Sequence, residues 1–240
     1  MPVSLELTQE ERKLISTLIR VYTDKHKHIS LFLDQLRDAL ISSEELAQYI
    51  HSIKWRIKDP DHLKDKLIRK IISAKNDQKP FDITEGNILV RVNDLAGIRI
   101  LHLYTRQIRN IDKILKEIFS EMKYDLIEGP IARTWDDESR AFFKECGITT
   151  KESDTMYTSV HYVVGSASRT QVTCEIQVRT LMEEVWGEVD HKINYPHQCK
   201  IFSCREQIKV LARVTSSATR LVDSIFSTLE DHTLRKRKKK

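Results

Sequence analysis

Four cysteines in 240 residues, Cys146, Cys174, Cys199 and Cys204, are too few and too irregularly spaced to form a disulfide framework. Reduced thiols are expected, and Cys174, set among valines, reads as a small core residue. A zinc site is disfavoured, because His197-Gln198-Cys199 with Cys204 lacks a second cysteine pair. No apolar run approaches the roughly 20 residues of a membrane span, and Met1-Pro2-Val3-Ser4-Leu5-Glu6 does not read as a signal peptide. No internal repeat is visible. The expectation is a soluble, cytosolic protein whose chain fits one domain with helical additions.

Basic charge is scarcer than the formal +5 suggests. Residues 235–240 supply six of the 40 basic side chains, which leaves 34 against 35 acidic ones in the remainder. A like-charge block of this kind reads as a solvated tail, with retention near RNA as the competing function.

Periodicity divides the chain. Residues 9–40 read as one or two helices with Leu14, Leu18, Ile29, Leu33 and Leu36 as their apolar stripe, broken near Lys25-His26-Lys27-His28. A further helical run is expected after Ser42-Ser43. His26, His28 and His51 read as isolated histidines of this scaffold rather than ligands. Asp59-Pro60 is a capping Asp followed by Pro at the first helical position, opening a helix over Asp61–Ala74 with Leu63, Leu67, Ile71 and Ile72 facing a core. Arg56 and Lys58 precede that cap while Lys66, Arg69 and Lys70 lie along the helix, a plausible setting for an anion.

Leu95–Leu103 reads as a buried strand introduced by Asn93-Asp94, followed by a helix over about Arg109–Met122 and a strand over Tyr124–Glu128. The segment 129–156 is polar and reads as a long irregular loop. Beyond it Tyr157, Ser159 and His161 share one strand face, and Val160, Tyr162 and Val164 the other. A hairpin-like turn leads to Val172, Cys174, Ile176 and Val178 alternating with Thr173, Glu175, Gln177 and Arg179. Thr180 with Glu183 forms a capping box for a helix to about Ile193, with Glu184, Glu188 and His191 on one side and Val185, Val189 and Ile193 packed elsewhere. A last amphipathic helix, 204–231, carries Ile208, Leu211, Val214, Leu221, Ile225 and Leu229 as its stripe. It is the expected surface for packing on the domain or on a partner subunit. The divisions expected are 1–50 as helical scaffold, 51–200 as core, 201–234 as terminal helix and 235–240 as basic tail.

The polar residues form a chemically coherent set. Asp94 at a strand entrance and Glu175 on a strand face supply two carboxylates that can hold Mg2+ and orient or deprotonate a hydroxyl. A basic cluster can neutralise a triphosphate, and a tyrosine can stack on a base. Together they suit phosphoryl transfer.

Three blocks then make the chain resemble the RelA/SpoT synthetase domain, the pyrophosphokinase of guanosine tetra- and pentaphosphate. Arg56-Ile57-Lys58 with Lys66 and Arg69 is similar to its ATP block. Asp94-Leu95-Ala96-Gly97-Ile98-Arg99-Ile100 matches D-x-x-G-x-R-[IV]. Tyr157-x-Ser159-x-His161 with Glu175-Ile176-Gln177-Val178-Arg179-Thr180 matches Y-x-S-x-H and E-[IV]-Q-[IV]-R-T. The resemblance covers roughly 50–195. It implies an α+β fold, a mixed β-sheet flanked by helices of the nucleotidyltransferase-like kind, and transfer of the β,γ-pyrophosphate of ATP with release of AMP. It further implies Arg56 and Arg99 about adenine and Lys58, Lys66 and Arg69 on the ATP phosphates. Asp94 and Glu175 would serve Mg2+ and the acceptor 3′-hydroxyl. Tyr157 would stack on the acceptor base, with His161 and Gln177 near its ribose and phosphates. The hydrolase signature of the long bifunctional members has no counterpart, so no alarmone hydrolysis is expected.

Two departures concern the acceptor. The family's Lys-containing K-x-x-G-Y segment is replaced by Ser153-Asp154-Thr155-Met156-Tyr157, and Glu184 stands where several small synthetases carry Asn. A carboxylate at 184 can still accept from guanine N1–H and its 2-amino group. The first expectation is therefore a GDP or GTP acceptor. Its competitors are pyrophosphorylation of the tRNA 3′ CCA end by a translation-blocking toxin, and a catalytically idle regulatory module. The terminal helix leaves self-association or an antitoxin partner open, and no membrane partner is expected.

Overall fold

Thr8 opens the first helix, α1 (Gln9–Asp24), through a reciprocal capping box with Glu11. A break at Lys25 turns the chain into α2 (His26–Ile41), so the apolar stripe of residues 9–40 belongs to two helices. The computed structural model describes residues 7–153, 155–194 and 198–237. Met1–Glu6, Asp154, His197 and Lys238–Lys240, which entered the sequence reading, lie outside these described residues.

After the four-residue helix α3 (Glu44–Ala47) comes a strand, β1 (Ser52–Ile57). The helix after Ser43 is where the sequence placed it; β1 was not expected, and it sets Arg56 in the sheet with Lys58 just past its end. Asp59 accepts from the amides of Asp61 and His62 and opens α4 (Pro60–Asn76), whose Leu63, Leu67 and Ile71 are buried. The order continues through α5 (Ile88–Arg91), β2 (Ala96–His102), a 3-10 turn at Thr105–Gln107, α6 (Ile108–Glu121) and β3 (Asp125–Thr134). It ends with α7 (Asp137–Glu145), β4 (Thr149–Glu152), β5 (Ser159–Gly165), β6 (Thr173–Thr180), α8 (Leu181–Asn194) and α9 (Phe202–Arg237).

The six strands form one mixed sheet in the order β1-β2-β6-β5-β3-β4. β2 runs parallel to β6 with Gly97 beside Glu175 and Arg99 beside Gln177. β5 and β6 are the expected antiparallel hairpin, with His161 opposite Gln177. β1 runs antiparallel along the other edge of β2, placing Lys54 opposite Arg99 and Arg56 opposite Gly97. One sheet face carries Ile98, Ile100, Ile176 and Val178 into the same apolar cluster as Leu18, Leu33, Leu36 and Leu67 from the helices. Cys174 is fully buried there, and burial pushes its thiol pKa well up. The other sheet face is left for polar side chains.

The segment 129–156 is not an irregular loop. β3 runs on to Thr134, Asp136 caps α7 through the amides of Glu138 and Ser139, and β4 pairs with β3 in parallel. Register shifts between β3 and β5 break the period-two alternation that would have betrayed the strand. Gly129, at φ +104°, lies where a Cβ would collide with the His161 carbonyl oxygen, so glycine permits the close approach of the two strands.

The two last helices also differ from expectation. Val185 and Ile193 of α8 are exposed, while Glu183, Glu184 and Trp186 are buried. On α9 the stripe Val214, Leu221, Ile225 and Leu229 faces solvent, and the docked side consists of Ile208, Ala212, Thr215, Ser216 and Thr219. Small side chains let α9 approach closely enough for Ser216 to donate to Asp136 at 2.7 Å and for Trp186 Nε1 to donate to the Ile208 carbonyl at 3.1 Å. Among the described residues no helix is long and apolar enough to cross a membrane.

Candidate active site

The polar face of β1, β2 and β6 is the floor of a cavity of about 570 Å3, and α8 supplies a wall through Trp186, Glu188, Asp190 and His191. Of the residues singled out in the sequence, Arg56, Asp94, Arg99, Tyr157, Glu175 and Gln177 line it directly. Lys58 and Lys66 reach it through Asp94. Arg69 lies a turn beyond Lys66 on α4 and is not a lining residue.

Asp94 precedes β2 by two residues. Lys58, just past β1, holds its Oδ2 at 2.9 Å, and Lys66 of α4 holds its Oδ1 at 2.7 Å. Burial alone would raise the Asp94 pKa, but these two ammonium groups outweigh it and keep the carboxyl below its usual range. The hydroxyl of Tyr22 donates to the Lys58 carbonyl, tying α1 to this corner.

Glu175 projects from the centre of the sheet with both oxygens engaged. His161 Nδ1 lies 3.0 Å from Oε1, and Gln177 Nε2 donates to Oε2 at 3.0 Å. Burial and the charge of Asp94 push its pKa up, yet the His161 and Gln177 contacts leave it below the usual value. Gln177 Oε1 in turn accepts from the Tyr157 hydroxyl at 3.2 Å, which fixes the orientation of the amide. Among the described residues His161 Nε2 is buried with no hydrogen-bond partner.

Tyr157 lies two residues before β5, with its ring between His161, Trp186 and the guanidinium of Arg179, which is 5.6 Å from the ring centroid. Arg179 is 4% exposed and ion-paired to Glu184. The same carboxylate receives Lys54 at 2.8 Å and Arg99 at 3.0 Å, and Arg99 also reaches Glu188 at 2.7 Å. Burial pushes the Glu184 pKa up, but Lys54, Arg179 and Arg99 bring it below its ordinary value.

Sequence reasoning missed Lys54, because edge strand β1 was not recognised, and the anchoring function of Arg179. The spacing Glu184, Glu188, His191 did signal an α8 face turned to the site. Lys144 and Lys151, the cations that could have replaced the missing Lys before Tyr157, do not line the cavity; Lys151 lies 3.6 Å from Glu128 on the far edge of the sheet.

The donor set fits a hard divalent cation in part. Asp94 and Glu175 are two oxygen ligands on one cavity, close enough for each charge to act on the other. Among the described residues no cluster of three or more His, Cys, Asp or Glu side chains could hold a metal. Mg2+ bound by one or two carboxylates, with phosphate oxygens and waters completing its shell, matches such a set.

Residues 55–200 match the family model described as a region found in RelA / SpoT proteins. The chain is 26% identical over 151 residues to the GTP pyrophosphokinase YwaC of Bacillus subtilis (strain 168), a match covering 61% of this chain and 59% of that protein. The match thus spans less than two thirds of that relative's length. Among solved structures, a GTP pyrophosphokinase family protein from Streptococcus pneumoniae superposes with a TM-score of 0.62 at 18% identity, covering 94% of this chain and 97% of the other. The small alarmone synthetase 1 of Bacillus subtilis bound to its product pppGpp gives 0.54 at 20% identity, over 93% and 97% of the two chains. At these identities the solved structures establish a shared fold.

Proposed function

Because the chain belongs to the RelA/SpoT family, we propose that it is an enzyme transferring the β,γ-pyrophosphate of ATP to the 3′-hydroxyl of GDP or GTP, giving guanosine tetra- or pentaphosphate and AMP. The observation that carries this reading is the convergence of Asp94 and Glu175 on one cavity that also gathers the cations Arg56, Arg99 and Arg179 and the aromatic rings of Tyr157 and Trp186. Residues 51–200 are assigned as the transferase core, 1–50 as its scaffold, 201–234 as a terminal helix and 235–240 as a basic tail. The reaction is read as cytoplasmic; among the described residues no helix is long and apolar enough to cross a membrane.

Arg56 and Arg99 flank the adenine, and Lys58, Lys66 and Arg69 serve the ATP phosphates. Asp94, with Glu175 sharing the site, would hold Mg2+, which when bound would supply charge neutralisation for the transferring pyrophosphoryl group. Glu175 orients the acceptor 3′-hydroxyl and accepts its proton. His161 and Gln177 keep that carboxylate aimed, since each engages one of its oxygens. Tyr157 is the stacking platform for the acceptor base, with His161 and Gln177 near its ribose and phosphates. Positioning and electrostatics provide most of the catalysis expected of such a transfer.

A second reading is favoured by one observation. Neither Lys144 nor Lys151, the cations of the segment leading to Tyr157, lines the cavity, and the buried Arg179 beside Tyr157 is tied to Glu184. A nucleotide with a 5′ di- or triphosphate is less well held by such a subsite than the 3′ end of tRNA. Both readings are tested by one assay. Purified protein receives γ-labelled ATP, Mg2+, and either GDP/GTP or deacylated tRNA. Label on the nucleotide supports the first reading and label on tRNA alone the second. No label on either overturns both and leaves an idle module.

A further inference from the structure

Glu184 lies behind the cavity wall with its side chain 8% exposed, yet it contacts cations from three strands. Lys54 of β1 donates to Oε1 at 2.8 Å. Arg99 of β2 donates to Oε1 at 3.0 Å and to Oε2 at 3.3 Å. Arg179 of β6 forms an ion pair with Oε2. A carboxylate offers about four lone-pair directions, so three cations contend for nearly all of its capacity.

The ends of this network lie in different subsites of the proposed reaction. Arg99 lines the cavity on the side given to adenine and has Glu188, at 2.7 Å, as a second anion. Arg179 sits over Tyr157, the acceptor platform, and its Nε is buried without a hydrogen-bond partner among the described residues. The setting of Arg179 therefore depends on its pair with Glu184 and on the backbone of α8, where a Cβ on Gly187 would come within 2.6 Å of Nη1. Arg99 can turn away and keep an anion. Arg179, buried at 4% exposure, has the carboxyl of Glu183 nearby, but its ion pair is with Glu184 and burial leaves it little room to turn.

We propose that Glu184 is a positioning residue that couples the two subsites: ATP drawing Arg99 onto its adenine frees carboxylate capacity for Arg179, which fixes Tyr157 for the acceptor. The coupling is positive. By linkage it is reciprocal, so a bound acceptor tightens ATP by the same factor. The inference rests on the pyrophosphotransfer reading but assigns Glu184 to communication rather than to a contact with the acceptor base.

The test is calorimetric binding to the full chain, using a non-hydrolysable ATP analogue as donor probe. GDP is the acceptor probe, or deacylated tRNA should that be the labelled acceptor. In the wild type the acceptor binds at least about 5-fold more tightly with the analogue present than without it, within the usual range of coupling between sites. Glu184→Gln keeps the volume and removes the charge. It is expected to bring the coupling factor close to one while the analogue alone binds within a few-fold of wild type. Glu184→Asp keeps the charge with one methylene less reach and retains part of the coupling. It replaces the Gln variant should far-UV circular dichroism show that protein unfolded. Wild-type coupling of one overturns the inference, as does undiminished coupling in Glu184→Gln. Acceptor binding weakened equally with and without the analogue makes Glu184 a base contact and also overturns it. A wild type that binds the analogue and no acceptor overturns the transfer reading itself, a separate and recognisable result.

Discussion

Lys58 Nζ stands 2.9 Å from Asp94 Oδ2, so the carboxylate assigned to the metal and triphosphate is already matched to a cation that leaves the end of β1. With Lys66 on its other oxygen, Asp94 holds two phosphate-binding side chains at the place where it would receive Mg2+. Asp94→Asn keeps the size of the side chain and removes the charge. Pyrophosphoryl transfer is expected to fall on the order of 10²–10³-fold, the scale for losing one preorganised electrostatic group. The fold should persist, because Lys66 retains access to solvent and the Asn side chain can still accept from Lys58. Initial rates with labelled ATP and Mg2+, together with a melting curve, check this; wild-type rates would remove Asp94 from the site.

Tyr157 does two separable things. Its ring is the platform for the acceptor base, and its hydroxyl donates to Gln177 at 3.2 Å, holding the amide whose NH2 group reaches Glu175. Tyr157→Ala removes both and should raise the acceptor KM by about 5- to 150-fold, equivalent to about 1–3 kcal/mol of stacking, with ATP binding nearly unchanged. Tyr157→Phe keeps the ring and frees the Gln177 amide. It should lower kcat several-fold with little change in acceptor KM. Equal effects of the two substitutions on KM would refute this division.

Glu183 is buried beneath α9, and burial pushes its pKa from the ordinary 4.5 to about 7 despite the nearby Arg179. The folded protein therefore binds a proton that the unfolded chain releases between about pH 4.5 and 7. In that window this group lowers stability as pH rises, and above pH 7 the full cost remains, about 3 kcal/mol. Glu183→Gln cannot ionise. Urea unfolding at pH 5, 6, 7 and 8 should show the difference between variant and wild type growing in the variant's favour up to pH 7 and then levelling. A constant difference would mean that Glu183 titrates normally.

Legibility in the sequence followed burial. β5 and β6 lie in the middle of the sheet with one apolar face, so Val160, Tyr162, Val164 and Cys174, Ile176, Val178 alternate cleanly with the site residues. β1 has no such signal, because Lys54, Trp55 and Arg56 are all exposed along the sheet edge. Arg56 and Lys58 were recognisable only by their likeness to a family block, and Lys54 not at all. On α9 the apolar periodicity held for Ile208 and Leu211, which pack by Trp186, and pointed to the wrong side from Val214 onward. Beyond Ile208 and Ala212 the docking face is made of Thr215, Ser216 and Thr219, whose small side chains hydrogen-bond to Asp136 and within the helix. The network around Glu184 joins three strands and a helix, a tertiary relation that no local pattern carries.

Gly187 tests how tightly that network is packed. An alanine in mid-helix normally gains up to about 1 kcal/mol over glycine. Here the added Cβ would lie 2.6 Å from Arg179 Nη1 and 3.3 Å from its Cζ. A guanidinium at the end of a flexible, exposed side chain would step aside. Arg179 is buried, paired to Glu184 and lodged against Tyr157, so it cannot move without loosening one of these contacts. Overpacking of this kind costs about 1–3 kcal/mol and should outweigh the helical gain. Gly187→Ala is therefore expected to lower stability by up to about 2 kcal/mol and to raise the acceptor KM several-fold, since the displaced group supports the acceptor platform. Chemical denaturation and acceptor titrations measure the two effects. A more stable variant with unchanged acceptor KM would show that Arg179 is free to yield and that Tyr157 does not depend on it.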